Sequence, residues 1–363
     1  MNPPGNERIL GWDLLRGLCA LTVALYHLLY WLGLAELPAL GTYGVYLFFV
    51  LSGASLAYNY GPQRVGSPRG VADFLVARWL RLAPLYLLLC GVYIAMLAAR
   101  NGPLPLPQVA RYLALNATFA FGASDPSVNA LLIGGWSLGI EFMYYLFFPL
   151  IAQLLPRRGW AVAVFVALTA LQFVWIQRTL GTLGWDKGVV AYHQVPAFAA
   201  YFFGGCILGA LRREREGQWP FAAGLAAWAG MGVLLMALMP QQAGDELLGA
   251  RGIVLFVACF AVVHVSGQVR VPQRAKALAG WLGDITYGCY LLHPILIWTV
   301  LWFVAPDAPD WGTPARIALL IGILAVTCAL ATLSERRFER PLRRLARSGR
   351  TPAPYIEASS ISR

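Results

Sequence analysis

The sequence predicts an all-α, polytopic membrane helix bundle of about ten transmembrane helices with both termini cytoplasmic. Three observations predict it. Of 363 residues, 59% are hydrophobic and only 12% charged, with a mean hydropathy of +0.62, far from a soluble globular composition. The apolar residues come in blocks near the roughly 20 residues that cross a hydrocarbon core. Basic residues gather in alternate linkers, as the positive-inside rule requires.

In chain order the expected spans are Leu14–Leu34, Gly41–Tyr58, Pro84–Ala99, Leu131–Leu155, Trp160–Ile176, Val195–Leu211, Pro220–Met239, Ile253–Val265, Leu282–Val304 and Pro314–Leu333. With a cytoplasmic N-terminus, the inside linkers hold Arg64, Arg69, Arg78 and Arg81; Arg157 and Arg158; Arg212, Arg213 and Arg215; and Arg270, Arg274 and Lys276. The arginine-rich RRFERPLRRLARSGR follows the last span. Outside linkers hold few basic residues, so topology accounts for the net charge of +11 better than nucleic acid does.

The first apolar block lacks a small-residue cleavage pattern and reads as a retained helix. All six cysteines lie inside apolar blocks, where they act as small hydrophobes and form no disulfide framework. The external segment 100–130 contains ARYLALNATFAFG, open to reading as an interfacial helix or a re-entrant piece. One membrane domain over 1–347 and a disordered cytoplasmic tail over 348–363 complete the organisation. Internal repeats of the transporter kind are not evident.

Ionisable side chains inside spans are the functional candidates, because burying them is costly unless they are paired or wet. Arg16 and His27 are eleven residues apart, which returns a helix to within roughly 20° of the same face about 16 Å further along. Asp13 can pair with Arg16, which by itself reads as a snorkelling anchor. His27 lies more than halfway through its span, where proton transfer competes with a satisfied core histidine. Ser137, Glu141 and Tyr145 share a face of the fourth span, with Glu141 either a helix-holding carboxyl or a group orienting substrate or His27.

In the ninth span Thr286, Tyr290 and His293 form one stripe, with Asp284 near its cytoplasmic start. His293 precedes Pro294 and reads as structural, satisfying a freed carbonyl. His264 and His193 have no interpretable neighbourhood. Arg78 and Arg81, three apart beside the membrane, suit a polyphosphate, against a plainer role in anchoring or lipid headgroup binding. No zinc-ligand spacing, phosphate-binding glycine loop or nucleophile elbow is visible.

Together these segments resemble the acyltransferase 3 family of membrane O-acyltransferases. DLLRGLCALTVALYH is similar to that family's R-x10-H signature, GVYLFFVLSGASL to its second-span motif and ARWLRLAPLY to its R-x2-R. WSLGIEFMYYLFFPL, LGDITYGCYLLHPI and FERPLRR follow in the family's order, over almost the whole chain. The resemblance implies a stand-alone member in a bacterial inner membrane, without an appended SGNH-type domain. It implies transfer of an acyl group, usually acetyl, from cytoplasmic acyl-CoA to a hydroxyl of a carbohydrate, glycan or other acceptor.

By position His27 corresponds to the family's essential histidine, Arg16 to its arginine, and Arg78 and Arg81 to its paired arginines. Tyr46 and Phe142 stand where many members carry an acidic residue. The expected site therefore has His27 as general base or acyl carrier, Glu141 beside it, and Arg16, Arg78 and Arg81 on the CoA, with no metal. A proton-coupled transporter or flippase of a glycan or lipid intermediate is the competing reading.

Overall fold

The computed structural model describes residues 8–214, 217 and 219–348. Residues 349–363, most of the expected tail, lie outside the described part. Eleven principal helices follow one another: α1 (Leu10–Trp31), α2 (Pro38–Asn59), α3 (Pro68–Asn101), α4 (Leu106–Thr118), α5 (Gly135–Leu154), α6 (Arg158–Tyr192, with a π-turn at Gln177–Gly181 and a kink at Gly184, φ +68°), α7 (Ala199–Glu214), α8 (Phe221–Ala237), α9 (Gly249–Gln268), α10 (Gln273–Val304) and α11 (Thr313–Arg344). Helices satisfy their own backbone donors and acceptors, which lipid cannot do for them.

Eight of these helices are long and apolar enough to span a membrane, making this a multi-pass membrane protein. The exceptions are α4, the 16-residue α7 and the 17-residue α8, so two of the ten expected spans are shorter than the rest.

The helix that carries the third expected span extends well ahead of it. The apolar block opens at Pro84, but α3 begins at Pro68, where the Ser67 hydroxyl accepts from the Gly70 N–H at 3.1 Å. It runs 34 residues, about 51 Å, with Pro84 inside it. A proline costs a helix one hydrogen bond but does not end it when neighbouring helices hold both halves. Arg78 and Arg81 consequently sit on a continuous helix.

The core is centred on α2, 72% of whose apolar stretch is buried; for α6 the figure is 17%, and Trp160, Val162 and Val166 face outward. Small residues bring α2 and α7 into backbone contact. A Cβ on Gly209 would lie 2.0 Å from the Ala54 carbonyl oxygen, and one on Gly53 would lie 2.1 Å from that of Phe202. Any larger residue would force the two helices apart.

The linkers collect at two ends of the bundle. At the first, Arg8 and Arg340 both reach Asp284 at 2.8 Å, Gln153 donates to the Pro62 carbonyl, and Arg158 pairs with Glu214. These are the linkers that the charge pattern predicts to share a side; we call this the arginine end. At the other end Thr42 donates to Glu246, and Arg316 donates to the Leu32 carbonyl.

Segment 100–130 folds around α4 and the fully buried Asn116. Its amide oxygen accepts from Tyr86 Oη and the Leu131 N–H, while Nδ2 donates to the Tyr112 and Asn129 carbonyls. One side chain thus fixes the loop leading into α5.

Candidate active site

At the arginine end a cavity of about 440 Å³ opens between α1, α2, α3, α5 and α10. Arg16, Arg64, Arg78, Arg81 and Glu141 all line it. Arg16 is held on three sides: by Asp13 at 3.2 Å, by the Leu51 carbonyl at 3.2 Å and by the Ser55 hydroxyl. The pairing with Asp13 is the one expected from their i, i+3 spacing.

Arg78 donates to Tyr60 Oη at 3.2 Å and lies over the Tyr60 and Phe74 rings, and its buried Nε has no hydrogen-bond partner among the described residues. Among the described residues, neither Arg78 nor Arg81 nor Arg64 forms an ion pair, whereas Arg8, Arg340 and Arg343 are neutralised by Asp13, Asp284, Glu335 and Glu339. Three guanidiniums without an ion pair around one cavity have the donor geometry that suits an anion with several oxygens.

Glu141 belongs to this cavity as well. Its Oε1 accepts from Ser52 Oγ at 2.5 Å and from Tyr145 Oη at 2.6 Å. Ser137, Glu141 and Tyr145 share one face, as their spacing implies. The structure does not join Glu141 to His27.

His27 lies in a second cavity, of about 410 Å³, towards the opposite end. Its Nδ1 is 3.0 Å from Nε2 of His293, whose Nδ1 is in turn 3.0 Å from the Cys289 carbonyl oxygen. A carbonyl can only accept, so His293 carries its proton on Nδ1 and, when neutral, offers Nε2 as an acceptor. His27 must then donate from Nδ1. This leaves the lone pair of His27 on Nε2, the atom a general base needs free. The ring is further held by Trp31, stacked at a centroid distance of 4.9 Å.

Tyr290 lines both cavities. Its hydroxyl is 2.9 Å from Ser137 Oγ and 3.0 Å from the Gly134 carbonyl oxygen. Gly134 has φ +78°, and a Cβ there would lie 2.9 Å from the Tyr290 hydroxyl, so the position requires glycine twice over. Tyr290, Ser137 and Gly134 form the partition between the arginine cavity and the histidine cavity.

Residues 9–336 match the Acyltransferase domain family, acyltransferase 3. The chain belongs to the acyltransferase 3 family. Among curated relatives of this acyltransferase, the Exopolysaccharide production protein ExoZ of Rhizobium meliloti (strain 1021) is 29% identical, over 86% of this chain and 93% of its own. Acyltransferase MdmB of Streptomyces mycarofaciens is 26% identical over 86% of this chain and 83% of its own. Nodulation protein 10 of Rhizobium leguminosarum bv. viciae is 27% identical over 87% and 93%. No solved structure matches the chain. Family membership settles the reading in favour of acyl transfer over transport.

The structure gathers Arg16, Arg78 and Arg81 of the acyltransferase in one cavity, with Glu141, and places His27 in the other. Three features escape sequence reasoning. His293 bonds the carbonyl of Cys289, not the Tyr290 carbonyl that Pro294 frees, and its second nitrogen meets His27, 266 positions away. His193, uninterpretable in sequence, stacks on Trp136 at a centroid distance of 4.0 Å inside the histidine cavity. Arg64, which reads as a topological charge, faces the arginine cavity. Among the described residues no group of three or more His, Cys, Asp or Glu side chains could hold a metal ion.

Proposed function

We propose that this acyltransferase moves an acyl group, acetyl in the simplest case, from acyl-CoA bound at the arginine end to a hydroxyl of a carbohydrate in the histidine cavity. The observation that carries the proposal is the pair of cavities meeting at Tyr290, one lined by unpaired guanidiniums and the other by an imidazole with a free Nε2. Arg64, Arg78 and Arg81 take the CoA phosphates, and Arg16, already braced, lines the route of the pantetheine arm. The thioester reaches His27 past Tyr290. On this reading the arginine end is cytoplasmic, all ten expected helices cross a bacterial inner membrane, and the acceptor arrives from outside.

The step is direct transfer. Nε2 of His27 takes the proton of the acceptor hydroxyl as its oxygen attacks the thioester carbonyl. The C–S bond breaks, the ester C–O bond forms, and the CoA thiolate leaves and takes up a proton. Glu141, hydrogen-bonded to Ser52 and Tyr145, serves on the donor side by holding the wall along which the arm passes. A carbohydrate acceptor is supported by the likeness to the exopolysaccharide production protein.

The test is transfer of labelled acetyl from acetyl-CoA to cell-surface glycans in cells with and without the protein. His27→Ala, still inserted, is expected to abolish the label. Retained labelling in that variant would overturn the proposal.

A further inference from the structure

The histidine cavity holds a cluster of polar atoms without partners. Among the described residues, Tyr46 Oη, Tyr192 Oη, His193 Nδ1 and Ser127 Oγ are buried and make no hydrogen bond, and all four residues line this one cavity with His27. Tyr46 and Tyr192 are each only 1% exposed, and His193 9%. Native proteins rarely leave buried polar groups unmatched by protein or ordered water, and four around one cavity are positions that water fills and a ligand's hydroxyls can take over. The rest of the wall is aromatic. Trp136 lies flat against His193, and Trp185 stands edge-on to it at 6.2 Å.

The cavity has a second property. Among the described residues, no Asp, Glu, Lys or Arg lines it. The His193 imidazole, in the turn between α6 and α7, is pushed down to about 3 by burial and is therefore neutral. A charged ligand group would meet no counter-charge and would lose its hydration on entering.

We propose that Tyr46, Tyr192, His193 and Ser127 form the acceptor subsite, and that it takes an uncharged sugar ring and rejects uronate or phosphate substituents on that ring. Two tyrosine hydroxyls, one serine hydroxyl and one imidazole nitrogen match the neutral donor and acceptor groups of a hexose. The aromatic walls match the apolar C–H faces of a pyranose, and the volume of about 410 Å³ lies in the range of small-molecule sites. This inference rests on the proposed acyl transfer to a carbohydrate and adds to it which carbohydrates are accepted.

The experiment uses the full chain in lipid nanodiscs. Saturation-transfer NMR is recorded with methyl glucoside, methyl galactoside, methyl mannoside and the methyl glycoside of glucuronate, and CoA binding is titrated in the same samples. At least one neutral glycoside is expected to bind, the glucuronide not, and Y46F/Y192F to weaken the neutral glycoside about tenfold. CoA titration of the variant reports that it is folded.

Glucuronide binding equal to the neutral sugars, no glycoside binding at all, or equal binding by Y46F/Y192F overturns the subsite. If CoA binds the wild type and no neutral glycoside does, the subsite fails while the donor assignment stands. If neutral glycosides bind and CoA does not, the donor assignment fails and the subsite stands.

Discussion

His27 and His293, carried by α1 and α10, meet with their ring nitrogens 3.0 Å apart and their ring planes 22° from parallel. The Cys289 carbonyl fixes the His293 proton, and His293 in turn fixes that of His27. The arrangement presents one nitrogen of His27 to the cavity in a single tautomer without a carboxylate partner.

This relay separates two variants. His27→Ala removes the base, and turnover is expected to fall about 10²- to 10⁴-fold. His293→Ala keeps the base but frees its ring, and a misplacement of this kind costs on the order of 10²-fold. The kcat of His293→Ala should drop with little change in the Kd for CoA, measured by titration. An unchanged kcat would show that the dyad does not position the base.

Arg78 and Arg81 should act on the donor alone. Each charge-assisted hydrogen bond to a phosphate is worth about 1.5–3 kcal/mol, so Arg78→Ala and Arg81→Ala are each expected to weaken CoA binding roughly tenfold to hundredfold. Dephospho-CoA and pantetheine titrations locate the contact, since pantetheine binding should not respond. Equal losses for pantetheine and CoA would place the arginines elsewhere on the donor.

Tyr290 closes the partition through its bonds to Ser137 and Gly134. Tyr290→Ala should join the two cavities and let water reach the thioester, so that acetyl-CoA hydrolysis without acceptor rises while transfer falls. Thiol release measured in the absence of acceptor reads this directly. Hydrolysis no greater than in the wild type would mean that the barrier lies at another residue.

Glu246, in the loop between α8 and α9, gives a pH dependence. Burial pushes its carboxyl above its ordinary value of 4.5, against the lowering effect of the bonds from Thr42 and the Gly244 N–H. The folded protein holds this proton more tightly than the unfolded chain. The stabilisation is therefore full below 4.5 and is lost as pH rises through the folded value. Glu246→Gln can keep both bonds, with its oxygen accepting from Gly244 and its amide donating to Thr42 Oγ. The difference in Tm between this variant and the wild type should grow in the variant's favour as pH rises from 4.5 towards 8, and parallel curves would refute the assignment.

Much of the protein is legible along the chain because lipid imposes a one-dimensional constraint. A segment that crosses must be apolar, helical and about 20 residues long, and its flanks carry the charge bias. The eight long spans, the Asp13 to Arg16 pair, the shared face of Ser137, Glu141 and Tyr145, and the nearness of Arg78 to Arg81 all follow from helical periodicity within single segments. Where α3 begins was less legible, since its first turns carry Arg69, Asp73, Arg78 and Arg81 and lie outside the apolar block that opens at Pro84.

Only the tertiary structure decided which segments face each other. Whether Glu141 meets His27 or the arginines depends on the rotation of α5 against α1 and α2, which no spacing within α5 encodes. The same holds for His293, whose partner is 266 positions away, and for His193, which acquires a role only when the turn after α6 folds over Trp136. Sequence determined the helices and the stripes upon them, because those depend on local geometry and solvent. Packing between helices, fixed by small-residue contacts such as Gly209 against Ala54, determined that the stripes line two cavities divided at Tyr290.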